Sequence, residues 1–377
     1  GRDDSASTFG GNNAATAIAA GNNHLLILAN GVVYAVGDNS KGQLGNGATG
    51  TTESIVVPVM IDETTTLTGV KNIAAGDDFS MALLEDGSIY AWGSNKSGQL
   101  GDGTTTDSAY AVKILAGRSG TNAYDPDNND YYLNDIVSIS AGQAFAMALK
   151  NDGTVYTWGD NSKGQLGDGT RVNKPTPIQV LRGESPEEET NVAPAGSDYL
   201  INIVMISAGA NHALALTKTG YVWAWGDNTY GQRGIEAKNS KYSQYASFTV
   251  KGASAGDNAD GALNDFIDIT IGDTFISALR RDGNVFSWGS GSYGQIGKGF
   301  FTEALAPTQA VNGESASSTA YLRNIVKISA GAYHNIALSD DSSVYAWGRN
   351  ANGQLGNNTI TTNDSIDNAN NYNANSP

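Results

Sequence analysis

The chain has 377 residues, 47 of them glycine and none cysteine, with 16% charged residues and a formal net charge of −16. That length allows a large core, the missing cysteines exclude disulfide staples and zinc–thiolate sites, and the acidity opposes nucleic-acid phosphates and anionic membranes at long range. The longest apolar runs, such as Ile201 to Ile206, are far too short to cross a bilayer, and neither a signal peptide nor a membrane helix is expected in this chain beginning at Gly1.

Past an N-terminal segment over residues 1–16, the chain repeats itself. The first copy opens on Ile18-Ala19-Ala20-Gly21, passes a turn at Asn30-Gly31, reaches an anchor at Gly37, turns at Gly42-Gln43-Leu44-Gly45 and runs into Ile55 to Met60. The second keeps that order with Ile73-Ala74-Ala75-Gly76, Glu85-Asp86-Gly87, Trp92-Gly93, Gly98-Gln99-Leu100-Gly101 and Tyr110 to Leu115. In the third come Ile139-Ser140-Ala141-Gly142, Asn151-Asp152-Gly153, Trp158-Gly159, Gly164-Gln165-Leu166-Gly167 and Pro177 to Leu181. The fourth has Ile206-Ser207-Ala208-Gly209, Thr219-Gly220, Trp225-Gly226, Gly231-Gln232-Arg233-Gly234 and Ala246 to Val250. The fifth has Ile269-Thr270-Ile271-Gly272, Arg281-Asp282-Gly283, Trp288-Gly289, Gly294-Gln295-Ile296-Gly297 and Pro307 to Val311. The sixth runs from Ile328-Ser329-Ala330-Gly331 through Asp341-Ser342 and Trp347-Gly348 to Gly353-Gln354-Leu355-Gly356, then enters a polar tail over residues 357–377 with no matching apolar stretch.

Successive anchors lie 56, 66, 67, 63 and 59 residues apart, so a constant unit carries variable insertions. Within a unit, two short runs of β-formers joined by Asp-Gly read as a β-hairpin, for which Asp341-Ser342 is the weaker turn. The glycines of Gly-Gln-x-Gly supply the positive φ of a tight turn onto a further strand, whose prolines suit a sheet edge. With the small-residue run, each unit makes about four strands, the sheet of a propeller blade. The expected fold is all-β: a β-propeller of six repeats over residues 17–356.

These blocks, in fixed order over nearly the whole chain, resemble those of the regulator of chromosome condensation (RCC1-like) repeat family, of the bacterial or archaeal secreted kind. The resemblance implies a β-propeller, and because such propellers usually carry seven units, a seventh blade completed by the termini or by another chain stands beside a ring of six. It also implies three kinds of role: nucleotide exchange on a small GTPase, binding of a protein partner, or scaffolding at a cell surface. The last unit leaves a sheet edge without obvious cover, so closure is expected from Ser5 to Ala17, from the tail, or from strand exchange with another chain, which would string propellers into an extracellular filament.

Insertions concentrate between the last strand of one unit and the next opening, at Ala116 to Asp135, Arg182 to Asn202, Lys251 to Asp265 and Asn312 to Asn324, with a polar lead-in at Ile235 to Tyr245. Equivalent positions fall on one face, so these loops form a crown expected to bind a partner. Within it, Asp125, Asp127 and Asn129 place oxygen ligands at alternate positions, as in the first half of a calcium loop. A solvated acidic loop is the other reading, since no glycine or bidentate Glu follows at the required places. No other cofactor is expected. Tyr124, Tyr131, Tyr242 and Tyr245 are candidate partner contacts, while Tyr132, Tyr199 and Tyr321, each followed by leucine, suit capping of blade edges.

His24, His212 and His334 hold the third place after the opening glycine, where other copies have Phe79, Phe145 and Phe275. Imidazole alternating with phenyl marks a packing position. The tryptophans before the anchors are read as core or interblade residues, with Val36 in the first copy. No cysteine nucleophile, nucleophile elbow, His-Glu-x-x-His or Walker loop occurs, so the chain is read as no enzyme. The expected function is protein binding or scaffolding outside the cell or at its surface, by contact with a protein partner or by self-assembly, with neither nucleic acid nor membrane insertion.

Overall fold

The computed structural model describes residues 14–117, 131–183, 199–234, 242–248, 263–311, 321–357 and 360. Its regular elements are β-strands, and the chain divides into two compact units, residues 1–180 and 181–377.

The first unit holds three antiparallel sheets of four strands in sequential order: β1 (Ala15–Ala20), β2 (His24–Ala29), β3 (Val32–Asn39) and β4 (Thr51–Pro58); β5 (Val70–Ala75), β6 (Phe79–Leu84), β7 (Ile89–Gly93) and β8 (Ser108–Lys113); then β9 (Ile136–Ala141), β10 (Phe145–Lys150), β11 (Val155–Gly159) and β12 (Lys174–Gln179). The second unit repeats the plan with β13 (Ile203–Ala208), β14 (His212–Thr217), β15 (Val222–Asp227) and β16 (Tyr242–Phe248), then β17 (Phe266–Ile271), β18 (Phe275–Arg280), β19 (Val285–Gly289) and β20 (Ala304–Gln309). Its last sheet, among the described residues, has three strands: β21 (Ile325–Ala330), β22 (His334–Ser339) and β23 (Val344–Gly348).

The hairpins form where the Asp-Gly signal places them: Gly87, Gly153 and Gly283 all have φ between 81° and 83°. The last strand of each complete sheet starts two to four residues earlier than its apolar stretch suggests. The reason is the anchor glycine, which pairs with a residue ahead of that stretch: Gly37 with Glu53, Gly93 with Ser108, Gly159 with Lys174 and Gly289 with Ala304. A bulge follows each of these pairs before regular pairing resumes, and the anchor itself sits at φ between 101° and 116° in those four sheets.

The core lies between neighbouring sheets. In the first unit Leu26 and Leu28 of β2 pack with Ile73 of β5 and Trp92, and Met81 and Leu83 of β6 pack with Ile139 of β9 and Trp158. In the second, Leu214 and Leu216 pack with Ile269 and Trp288, while Leu279 packs with Ile328 and Trp347. Each tryptophan indole also donates to the glutamine carbonyl of the preceding repeat: Trp92 to Gln43, Trp158 to Gln99, Trp288 to Gln232 and Trp347 to Gln295, at 2.8 to 3.0 Å. The Gly-Gln turn of one copy is therefore a socket for the next.

Because successive strands are antiparallel, each sheet has two ends. The opening loops, between first and second strands, share one end with the Gly-Gln turns. The hairpins share the other with the insertions.

Candidate functional site

Tyr124, Asp125, Asp127 and Asn129 lie outside the described residues, and among the described residues no group of three or more His, Asp or Glu side chains is placed to hold a metal. Tyr131 stacks edge-on against Tyr132, with ring centroids 5.2 Å apart, and Lys113 Nζ lies 4.7 Å from the Tyr132 centroid. Tyr132, Tyr199 and Tyr321 each close an antiparallel bridge, to Leu115, Leu181 and Val311, at the base of an insertion. Tyr245 is exposed on β16, and Tyr242, on the same strand, pairs through its backbone with Asp227.

The histidines occupy packing positions. The His24 ring lies over the opening Gly21, where an added Cβ would stand 2.2 Å from the ring and 2.5 Å from the Gly76 carbonyl of the next repeat. Phe79 covers Gly76 in the same way. His24 Nε2 meets Ser80 Oγ at 2.9 Å, and burial holds its pKa down at about 4, against the pull of Asp38. His212 is buried, and burial again sets a value of about 4 against the pull of Asp227 and of the Phe275 backbone.

At the end that carries the opening loops and Gly-Gln turns, the second unit gathers different chemistry. Three backbone features repeated along the chain build it. The residue after the anchor bonds the opening loop, as Asp38 N does Asn23 O and Arg349 N does Tyr333 O, both at 2.9 Å. Opening loops bond one another between repeats, Asn22 N to Asp77 O at 3.2 Å and Asp273 N to Ala332 O at 3.0 Å. The Gln side chain fixes its own turn, accepting from Lys41 N in the first copy and from Tyr293 N in the fifth, at 2.8 Å.

These constraints bring Tyr293, Tyr333, Arg349 and Asp273 together. The two tyrosine rings lie 5.4 Å apart, and the Arg349 guanidinium carbon sits 5.3 Å from one centroid and 5.7 Å from the other. A cation at that range over an aromatic face is held by the ring quadrupole. Tyr333 hydrogen-bonds the Asp273 carboxylate, whose pKa is raised by burial more than that bond lowers it. The Tyr333 hydroxyl is itself raised, by burial and by the Asp273 charge. Arg349 Nε is buried without a partner, and its guanidinium has no hydrogen bond or ion pair among the described residues. The result is a partly exposed aromatic–arginine cluster.

A family profile described as the RCC1-like domain matches residues 4–371. The chain belongs to the RCC1-like domain family. It is 29% identical to the E3 ubiquitin-protein ligase HERC2 of Homo sapiens over 88% of this chain but 6% of that protein, and 28% identical to the ultraviolet-B receptor UVR8 of Arabidopsis thaliana over 86% of this chain and 62% of the receptor. The chain thus spans less than two thirds of either relative. Among solved structures, human WBSCR16 matches with TM-score 0.70 at 20% identity, over 92% of this chain and 80% of that one. Prp20p of Saccharomyces cerevisiae matches with TM-score 0.66 at 21% identity, over 91% and 74%. These likenesses fix the fold as all-β and of the RCC1-like propeller kind.

In RCC1-like terms the cluster is a set of substitutions at fixed repeat positions. Arg349 stands where the other copies have Asp38, Ser94, Asp160, Asp227 and Ser290, and Tyr293 where the first and third have Lys41 and Lys163. The sequence reading passed over these residues because each looks ordinary alone. Aligning the six copies position by position would have exposed an arginine in a column of Asp and Ser.

Proposed function

We infer that this RCC1-like chain is a protein-binding module whose second unit docks a partner through the end bearing Tyr293, Tyr333 and Arg349. The observation that carries the reading is the grouping of Tyr293, Tyr333 and Arg349, mutually within 5.7 Å, since tyrosine and arginine at a surface are the side chains in which binding energy concentrates. Protein binding also accords with the solved neighbours, one being yeast RCC1 (Prp20) bound to Kap60 and another described by its binding to Gsp1p and histones. An extracellular or cell-surface setting belongs to the proposal on composition alone, from the net charge of −16 and the polar surface.

The test uses the whole chain as bait in an extract of the source cells, beside Tyr293→Ala with Tyr333→Ala and, at the opposite end, Tyr321→Ala, at a residue 39% exposed at the base of an insertion. A partner lost about 30-fold by the double variant and retained by Tyr321→Ala supports this end, at the scale of a hot-spot truncation. The reverse pattern moves recognition to the crown of insertions.

Self-assembly is a second reading, favoured by β23, which has no outer neighbour among the described residues, and by Ile336 and Leu338 beside it, each 39% exposed. An open edge with apolar side chains is a template for another chain. Sedimentation showing one monomeric species over a hundredfold concentration range would remove it.

A further inference from the structure

We propose that Arg349 is a carboxylate receptor, clamping an acidic side chain of the docked partner. The proposal rests on the docking reading above and names the chemistry of its central contact. A guanidinium offers five N–H donors in a planar fork, and one left without acceptors is costly unless a ligand supplies them. Arg349 has such a donor: its guanidinium carbon lies 5.3 and 5.7 Å from the Tyr293 and Tyr333 ring centroids, its Nε is buried and unpartnered, and among the described residues no carboxylate pairs with it.

The chain carries 38 acidic residues against 22 basic ones. Elsewhere in the same unit three acidic residues do pair with cations: Arg280 with Asp282, Arg281 with Asp265 at 2.9 Å and Lys327 with Asp268 at 3.1 Å. The nearest acid of the cluster, Asp273, is engaged by Tyr333 instead. The tyrosines therefore do two things. They fix the fork in place before a ligand arrives, and one of them occupies the carboxylate that would otherwise compete.

The charge balance selects the anion. A single guanidinium matches one carboxylate in charge and in bidentate geometry. A phosphate dianion would leave a net negative charge beside Asp273, in a molecule already strongly acidic. Lysine could supply the charge at this place but neither the fork nor the stacking.

Side-chain arginine NMR of the full chain reads the contact directly. Sodium acetate titrated against sodium chloride at constant ionic strength should displace the Arg349 Nε–H resonance saturably, the resonance being assigned by its loss in Arg349→Lys. No displacement beyond that in chloride, or an equal response from other arginines, overturns the proposal. In parallel, fluorescence anisotropy with a labelled peptide of alternating Glu and Gly should show binding that falls at least about tenfold in Arg349→Lys and disappears in Arg349→Gln. The Gln-for-Glu peptide should not bind. Equal binding by the Arg349→Gln protein also overturns the clamp, and tighter binding of a phosphoserine version reassigns it to phosphate. If Tyr293→Ala with Tyr333→Ala loses the partner while acetate leaves Arg349 unmoved, docking stands and the clamp alone fails.

Discussion

At the residue after the anchor glycine the first unit carries Asp38, Ser94 and Asp160, and the second carries Asp227, Ser290 and Arg349. In the first unit Asp38 and Asp160 accept from the amides of Gln43 and Gln165 at 2.8 and 2.6 Å, so two of its Gly-Gln turns are tied from both sides. In the second, the Gln232 and Gln295 amide nitrogens are buried without a partner. Arg233 replaces the buried leucine of Leu44, Leu100 and Leu166 and leaves its own Nε buried and unpaired. Gly291 stands where Asn39, Asn95 and Asn161 knit the turn, and a Cβ there would come within 2.0 Å of the Thr302 carbonyl. Each unmet buried donor costs about 1–3 kcal/mol. The same repeat is thus satisfied in one unit and compromised in the other, and the compromises gather in the unit that carries the aromatic–arginine cluster. Local rules broken together in one region are the pattern expected where function constrains a sequence.

The comparison holds only if the shared framework is equally strong in both units, and the tryptophans test that. Trp158 and Trp288 are fully buried and make the same bond to the preceding repeat, at 2.9 and 2.8 Å. Trp158→Ala and Trp288→Ala should each cost about 3–5 kcal/mol in denaturant unfolding. A loss under about 1 kcal/mol in either would break the comparison at its base.

The histidines offer a matched pair, His24 in the first unit and His212 in the second. Both rings titrate near 4 in the folded chain, below the 6.5 expected when unfolded, so between those values the unfolded chain binds the extra proton. Stability is unaffected above pH 6.5, falls as pH drops through this window and levels off below about 4, by at most about 3 kcal/mol per histidine. His212→Phe, copying Phe79 and Phe145, should flatten that dependence without touching a side-chain partner. His24→Phe should flatten it too, but loses the contact to Ser80. Thermal midpoints from pH 7 to 4 separate the two.

Most of the scaffold was open to reading because its signals are local. Asp86-Gly87 names a hairpin by itself, and the Gly21 and Gly76 openings declare a place where a Cβ cannot go. The starts of the outer strands were hidden because the residues facing the anchors, Glu53, Ser108 and Lys174, are polar and carry no alternation. Left-handed residues just before the inner strands, Asp135 (φ 60°), Asn202 (φ 62°), Asp265 (φ 68°) and Asn324 (φ 61°), went unread for a similar reason. Their function, accepting a bond from the following hairpin of the same sheet as Asp265 O does from Arg281 N at 3.0 Å, exists only once the first two strands of that sheet pair. The candidate site is less legible still. Tyr293, Tyr333 and Arg349 are separated by 40 and 16 residues, and they meet through the bond from Arg349 N to Tyr333 O within the sixth copy and the bonds from Asn335 and Trp347 to Gln295 O of the fifth.

A smaller effect sharpens the contrast at Arg233. Replacing it by the leucine of the other copies removes a cation whose pKa burial already lowers, at the loss of one bond from Nη2 to Ser247 of 2.8 Å. Arg233→Leu should gain about 1–2 kcal/mol in urea unfolding. No gain would mean that the second unit has accommodated its exception, and that the unmet donors around it are not a source of instability.

The smallest change addresses the hairpin that departs from its equivalents. Gly87, Gly153, Gly220 and Gly283 turn at φ between 81° and 85°, and Ser342 makes the same turn at φ 69° with a Cβ attached. Its backbone N still bonds Ser339 O at 3.1 Å, as Gly87 N bonds Leu84 O at 3.0 Å, so the turn forms and its conformation carries the strain. Left-handed backbone costs an ordinary residue about 1–2 kcal/mol, while glycine gives back part of that through the freedom it has when unfolded. Ser342→Gly should therefore raise stability by about 0.5–1 kcal/mol, and Gly87→Ser in the first unit should lower it by a similar amount. If the sixth hairpin frays independently of the rest, amide exchange at Leu338 and Val344 will slow in the Gly variant while the global unfolding midpoint stays put. A midpoint that moves with it places the last hairpin inside the cooperative fold of its unit.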